Sequence, residues 1–193
     1  MLSLDENPPI MPAYAAGIDQ LRGPWWVAHT KSRCEKAFAW DLHEQEISYF
    51  LPMSERTTFS GGRKRKGMTP LFPSYVFFCG DTEACWAAMR TNRLCQVLPV
   101  KDQGILVGEL AQIHRILMHG EALQPFSGYP IGSKWRVRTG PLQGITGIVV
   151  EHKTPARLVL KVSMLGQGTS LDIDADLLEQ DAAGTELLEH RAG

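Results

Sequence analysis

The stretch PLFPSYVFF, residues 70–78, decides the fold of the first half of the chain. Aromatic and β-branched residues favour extended backbone, so Tyr75–Cys79 is predicted to form a central strand. Because side chains alternate along a strand, Tyr75 lies on the same face as Phe77. Two interpretations stay open: helices bury both faces of the strand, or Tyr75 and Phe77 join Phe72 in an exposed apolar patch that docks a partner helix.

The elements around this strand predict an α+β fold in which helices flank an antiparallel sheet. They are, in chain order, strand 25–30, helix 33–45, strand 47–51, helix 82–91, strand 95–98 and helix 108–118. The first helix has the spacing of a capping box, with Ser32 as N-cap and Glu35 reaching back. The second helix is capped by Asp81 or Thr82, and its inward face is predicted to carry Cys85, Trp86 and Met89.

The second half of the chain has a different sequence pattern, in which short runs of β-favouring residues are separated by glycines. Strands are predicted at 134–138, 145–150, 158–163 and 170–173. Such a pattern is typical of a small β-barrel. The predicted organisation is a flexible leader (1–23), a first domain (24–120), a linker (121–132), a barrel domain (133–179) and an acidic tail (180–193).

Composition places the chain among soluble globular proteins, with 193 residues, 44% of them hydrophobic and 21% charged. The four cysteines show no CxxC spacing and predict reduced core thiols in a cytosolic protein. The sequence has no HExxH, GxSxG, phosphate-loop or GxGxxG pattern. We therefore expect no catalytic residues, no metal site, no cofactor and no enzymatic activity, and nothing in the sequence predicts a membrane segment.

Charge is distributed unevenly along the chain. Between residues 53 and 68, five cations face the single acid Glu55, which leaves a local charge of +4. This stretch is either a hairpin or an unordered loop, and its cations are suited to contact phosphates without reading bases. Lys31 and Arg33 extend the same candidate nucleic-acid surface, whose remaining members are Arg63, Lys64, Arg65 and Lys66.

The run VRTGPLQGITGIV, residues 137–149, resembles a KOW motif, the strand–loop–strand core of a small SH3-like barrel. Residues 24–120 resemble the N-terminal (NGN) domain of the NusG family. The matching pieces are, in order, WWV at 25–27, TK at 30–31, EK at 35–36, LPM at 51–53, PLFPxYVF at 70–77 and WxxMR at 86–90. The PLFP motif and the basic stretch before it resemble those of specialised RfaH-like paralogues more than those of the housekeeping factor. Ser74 stands where the housekeeping factor has glycine.

This resemblance implies a monomeric transcription elongation and antitermination factor that binds the clamp helices of the largest RNA polymerase subunit. Bridging the polymerase cleft would raise processivity, because it favours the closed clamp. The implied polymerase contacts are Phe72, Pro73, Tyr75 and Phe77, with Trp86, Ala87 and Ala88 facing the opposite jaw. The basic residues would lie near upstream or non-template DNA. The KOW domain would recruit a ribosomal protein or a termination factor through Ile145, Met164, Leu165 and Gly166.

Two other functions stay open at this point. The element order also fits an RNA-binding module with an RRM-like sheet, although the central strand lacks the glycine–aromatic signature that stacks bases. A ribosome-associated KOW protein would need a broadly basic surface, whereas the formal net charge is −1.

Overall fold

The structure is a computed structural model that describes residues 7–60, 63–127, 132–151 and 155–181. The chain divides into two compact units, Met1–Ala111 and Gln112–Gly193, and the division falls within a helix. In the described part of the chain, every helix is too short or too polar to cross a lipid bilayer. We describe the two units separately.

The first unit contains the mixed helices and strands that the sequence predicts. Its elements are β1 (Trp25–Thr30), α1 (Glu35–Glu44), β2 (Ser48–Phe50), β3 (Met53–Ser60), β4 (Arg63–Pro70), β5 (Tyr75–Cys79), α2 (Thr82–Arg90), β6 (Leu94–Pro99) and α3 (Gln103–Met118), which continues beyond the unit. Four strands form an antiparallel sheet of order β2-β5-β1-β6, and β3 pairs with β4 in a separate hairpin. The predicted α+β class with an antiparallel sheet is confirmed.

Strand β5 lies in the interior of this sheet, hydrogen-bonded to β2 on one side and β1 on the other. On one face, Val76 and Phe78 pack into a core that includes Phe38 of α1 and Ala88 of α2. The rings of Phe38 and Phe78 meet edge to face with centroids 6.2 Å apart. On the other face Phe77 pairs with Val27, and both are fully buried.

The helix starts differ from one another in how the chain caps them. Of the two predicted candidates, Asp81 is the N-cap of α2, and its carboxylate accepts a hydrogen bond from the Ala84 amide at 2.9 Å. The predicted capping box before α1 is wrong, because Cys34 takes the N-cap position without a side-chain cap. The third helix begins five residues earlier than predicted, and there the Asp102 carboxylate accepts from the Ile105 amide.

The N-terminal segment, residues 7–21, is packed against the first unit rather than being a flexible leader as predicted. Met11, Ile18 and Leu21 are buried, and a 3₁₀ turn spans Ile18–Gln20. The Leu51 amide donates to the carbonyl of Ile10 at 2.7 Å. The packing of this segment could not be predicted from the sequence, because its buried residues follow neither a helical nor a strand period.

The second unit is built on a six-stranded antiparallel sheet of order β12-β8-β9-β10-β11-β7. Its strands are β7 (Gln124–Ser127), β8 (Ser133–Val137), β9 (Thr146–Glu151), β10 (Ala156–Val162), β11 (Gln167–Ile173) and β12 (Leu178–Gln180). The four strands that the sequence predicts are present, and the closed barrel stays a prediction. Strand β7 lies inside the predicted linker, where it pairs with β11.

Candidate functional site

Tyr75 is the aromatic residue of the PLFPSYVFF stretch that reaches the surface of the first unit. Its side chain is half-buried, and its ring stacks on the imidazole of His29 with centroids 5.1 Å apart and an interplanar angle of 21°. The two residues are direct cross-strand neighbours on β5 and β1. Pro73, which precedes Tyr75 by two positions, is exposed. Stacking restrains the Tyr75 ring and leaves part of it accessible.

Phe72 and Phe77 do not belong to this exposed surface, so the predicted patch is wrong for both. They are 1% and 0% exposed, and their rings meet edge to face with centroids 5.7 Å apart. The cross-strand neighbours of Phe77 are Val27 of β1 and Phe50 of β2, and both are also fully buried. The described surface on this face therefore consists of Tyr75 and its strand neighbours instead of a ridge of three aromatic rings.

The turn before Tyr75 is held by a buried carboxylate. Ser74 has a φ of 67°, in the left-handed region that non-glycine residues seldom adopt. Its amide donates to Oε1 of Glu35 at 2.7 Å, and its carbonyl accepts from the Thr30 amide at 2.8 Å. Glu35 is only 8% exposed. Sequence analysis assigned Glu35 to a local cap and missed this role, because a contact across 39 positions leaves no local signal.

His29 is a second residue that sequence analysis left without a role at this site. Its position on β1 follows from the strand period, but its partner depends on the β1–β5 register. On the other side of β1, His29 faces Gln96 of β6, which is exposed. Gln96, His29 and Tyr75 thus form one row across three neighbouring strands.

Helix α2 presents a second apolar surface. Trp86 and Met89 are 56% and 48% exposed, and their spacing of three places them on one side of the helix. The prediction that both face inward is wrong. Ala87 is half-buried, whereas Ala88 is fully buried in the core and is wrong as a contact residue. Small residues of α2 fill the inner face, so the large ones remain outside.

The basic stretch forms an antiparallel hairpin from strands β3 and β4, which settles the alternative that sequence analysis left open. Pairing runs without interruption from Met53 opposite Pro70 to Ser60 opposite Arg63. Lys66 is exposed and makes an ion pair of 2.7 Å with Glu55. The side chains of Arg63, Lys64 and Arg65 lie outside the described residues, as does the turn at 61–62.

Lys31 and Arg33 are exposed residues at the connection from β1 to α1. The Lys31 ammonium donates to the carbonyl and the side-chain oxygen of Asn92 at 2.8 and 3.0 Å. Nearby in sequence, Arg93 pairs with Asp41 at 2.8 Å, and this hydrogen bond raises the arginine pKa. Lys31 is thus held at the C-terminal end of α2, where cations interact favourably with the helix dipole.

The candidate partner residues of the second unit fall into two groups. Met164 is 38% exposed, and Leu165 and Gly166 beside it are half-buried at the turn between β10 and β11. Ile145 is 1% exposed, so its prediction as a contact residue is wrong. Its amide and carbonyl close the turn before β9, bonding to Leu142 and Val137, while its side chain is enclosed.

The described residues offer no cluster of ligands for a metal ion. They include no group of three His, Cys, Asp or Glu side chains that could hold an ion. All four cysteines are free thiols. Burial raises the pKa of Cys79 to about 11 and also raises that of Cys85, which keeps both thiols protonated and poorly nucleophilic.

Comparison with known proteins identifies the family. The family model described as "NusG: Transcription termination factor nusG" matches residues 23–120, just over half of the chain. The chain belongs to the NusG family. This confirms the predicted resemblance and the prediction of a transcription factor that is not an enzyme, while the RfaH-like assignment stays a prediction.

Two curated relatives and two solved structures are similar to this chain at low identity. The transcription termination/antitermination protein NusG of Escherichia coli (strain K12) is 24% identical over 176 residues, which cover 81% of this chain and 95% of that protein. The NusG protein of Buchnera aphidicola is 25% identical over 177 residues, covering 81% and 96%. The structure titled "Domain interaction in Thermotoga maritima NusG" is 18% identical with a TM-score of 0.47 and covers 82% of this chain and 97% of that one. The structure titled "Crystal Structure of MjSpt4:Spt5 complex conformation B" is 13% identical with a TM-score of 0.25 and covers 81% and 95%.

Proposed function

We propose that this NusG-family protein is a transcription elongation and antitermination factor that binds the clamp helices of the largest RNA polymerase subunit. It does so through the row formed by Gln96, His29 and Tyr75, which we call the docking row, with Tyr75 as the anchor. The observation that carries this proposal is the restrained, half-exposed Tyr75 ring stacked on His29. Bridging the polymerase cleft then raises processivity.

The docking row suits the surface of a helical coiled coil. Tyrosine supplies a large amphipathic contact at low entropic cost, and such residues dominate the binding energy of interfaces. Here the ring is already restrained by His29, and the turn that precedes it is fixed by Glu35. A contact group that is ordered before binding loses little freedom on association. Exposed Pro73 and Gln96 supply the rim of the contact.

Phe72 and Phe77 support this surface from below instead of touching the partner. Their edge-to-face pair fills the core beneath the turn that presents Tyr75. Replacing either ring would therefore change docking through the position of Tyr75.

Trp86 and Met89 are the proposed contacts with the opposite jaw of the cleft. Both are exposed on one side of α2, as a second docking surface requires. A protein that holds both jaws stabilises the closed clamp by its differential affinity for that state.

The basic hairpin and the Lys31–Arg33 connection are proposed to contact upstream or non-template DNA. The hairpin arms carry Arg56, Thr57 and Lys66 as exposed residues. Contacts of this kind are made to phosphates and weaken as salt rises, because binding releases condensed counterions. In the second unit, the turn around Met164 is the proposed contact with a ribosomal protein or a termination factor, in place of a surface that includes Ile145.

Replacement of Tyr75 by alanine tests the clamp contact. We expect the affinity for purified RNA polymerase to fall by about tenfold or more, because an interface anchor is lost. Tyr14→Ala is the matched control, since Tyr14 is 69% exposed and lies elsewhere on the first unit. Binding is measured by titration of labelled protein against polymerase, with thermal unfolding of each variant as the check on folding.

Equal affinities of wild type and a folded Tyr75→Ala protein would contradict the clamp assignment. Tight binding of free RNA in the absence of polymerase would instead favour the RNA-binding alternative. The burial of Phe77 argues against that alternative, because it removes an aromatic ring from the face on which bases would stack.

A further inference from the structure

The N-terminal segment 7–21 lies outside the region that matches the NusG family, yet it is tied into the first unit. Besides the Ile10–Leu51 hydrogen bond, the Tyr49 hydroxyl donates to the carbonyl of Pro9 at 2.9 Å. Tyr49 lies in β2, an edge strand of the sheet, and Leu51 follows that strand directly. The segment is therefore anchored at the C-terminal end of this edge strand.

Lys36 connects this segment to the basic hairpin. Its ammonium donates to Oδ1 of Asn7 at 2.5 Å and to the carbonyl of Met68 at 2.6 Å. Met68 lies on β4 near the base of the hairpin, opposite Glu55. Three parts of the chain that are far apart in sequence thus meet at one side chain, on the first turn of α1.

The Lys36 ammonium is partly buried, so its hydrogen bonds replace contacts with water. Burial lowers its pKa, while the neighbouring Glu35 carboxylate acts in the opposite direction. A partly desolvated ammonium needs acceptors, and a hydrogen bond that involves a charged group is stronger than a neutral one. The hairpin pairs with no other strand among the described residues, so Lys36 and the Leu71–Pro52 backbone hydrogen bond are contacts that fix its base.

We propose that Lys36 is a positioning residue that, together with the N-terminal segment, sets the direction in which the basic hairpin projects toward nucleic acid. The proposal rests on the function proposed above for the hairpin. It adds a role for a segment that the family match leaves out, and it assigns Lys36 an indirect part in nucleic-acid contact.

Hydrogen exchange tests the mechanical part of this proposal in the free protein. In Lys36→Met, amides of residues 53–57 and 66–69 are expected to exchange several-fold faster than in wild type, while those of β1 and β5 keep their protection. Lys36→Arg restores a donor to both acceptors and is expected to restore protection. Lys101→Met is the matched control, because Lys101 is an exposed lysine of the same unit. Unchanged exchange in the hairpin of Lys36→Met would overturn the proposal.

Binding to a polymerase elongation complex tests the functional part. The probe is RNA polymerase assembled on a duplex with an open non-template strand, compared with polymerase without nucleic acid. For Lys36→Met we expect the affinity for the assembled complex to fall by about threefold to tenfold and its salt dependence to become shallower. The affinity for polymerase without nucleic acid should stay unchanged. A variant that is merely less stable would keep its salt dependence at temperatures where it is folded.

Charge reversal at Lys66 separates failure of this inference from failure of the proposed function. If Lys66→Glu weakens binding to the assembled complex and Lys36→Met does not, the positioning role is overturned while the hairpin contact stands. If neither variant changes the salt dependence, the nucleic-acid function of the hairpin is overturned and the positioning proposal falls with it.

Discussion

Tyr75 and the basic hairpin, the two candidate contact regions of the first unit, differ in how much of the fold holds them. Tyr75 begins an interior strand, stacks on His29 and follows a turn fixed by Glu35. Among the described residues, the two strands of the hairpin pair only with each other, and its arms carry exposed residues. The difference matches the chemistry of each contact. An apolar anchor needs direct contact and therefore an exact position, whereas charge acts over a distance of the order of 10 Å, so the hairpin needs only a defined direction.

The largest effect is expected for Phe77, which supports the Tyr75 region from inside. Phe77→Ala removes a fully buried ring from an interior strand and should cost about 3–5 kcal/mol in the free energy of unfolding. Denaturant unfolding measures this loss. Tyr75→Ala is the comparison, and a loss of similar size at both positions would mean that Tyr75 is a core residue instead of a docking anchor.

A smaller effect is expected for Glu35, which fixes the turn. Glu35→Ala leaves the Ser74 amide without its acceptor and should cost about 1–3 kcal/mol in stability. It should also weaken polymerase binding, because Ser74 is held in a left-handed conformation next to Tyr75. Glu44→Ala, an exposed acid on the same helix, is the control. If both variants bind polymerase equally well, the turn does not set the position of Tyr75.

The smallest change in stability is expected in the hairpin. Lys66→Glu breaks an exposed ion pair and should alter the free energy of unfolding by less than about 1 kcal/mol. Its effect on binding to a nucleic-acid scaffold should be larger at low salt than at high salt. Binding measured across a range of salt concentrations checks this, and an effect of equal size at every concentration would contradict a phosphate contact.

Local patterns predicted most helices and strands of the first unit, including the central strand, and left the hairpin of β3 and β4 open. They failed where the answer depends on what packs over the sheet. The sequence cannot tell what covers the face of β5 that carries Tyr75 and Phe77, so it left the burial of Phe77 open. Local patterns also could not predict the His29–Tyr75 pair, because it exists only in the observed register of β1 and β5.

Contacts across long sequence separations account for the other errors. Glu35 fits a capping box by spacing, but its carboxylate bonds to Ser74 instead of to the backbone next to it. The N-terminal segment has no periodicity, because irregular chain packs through single residues such as Ile18. On α2, Trp86 is a large apolar residue of the kind that usually faces the core. Only the packing of Ala88 in the core shows that the side of the helix carrying Ala88 is the buried one.

The hydrogen bond between the N-terminal segment and the end of β2 has a consequence for self-association. A chain shortened to the start of the family match would lose the Ile10 carbonyl that receives the Leu51 amide. An unsatisfied backbone group at the edge of a sheet favours pairing with a strand of another molecule. We therefore expect removal of residues 7–21 to increase self-association, although this segment forms no strand of its own.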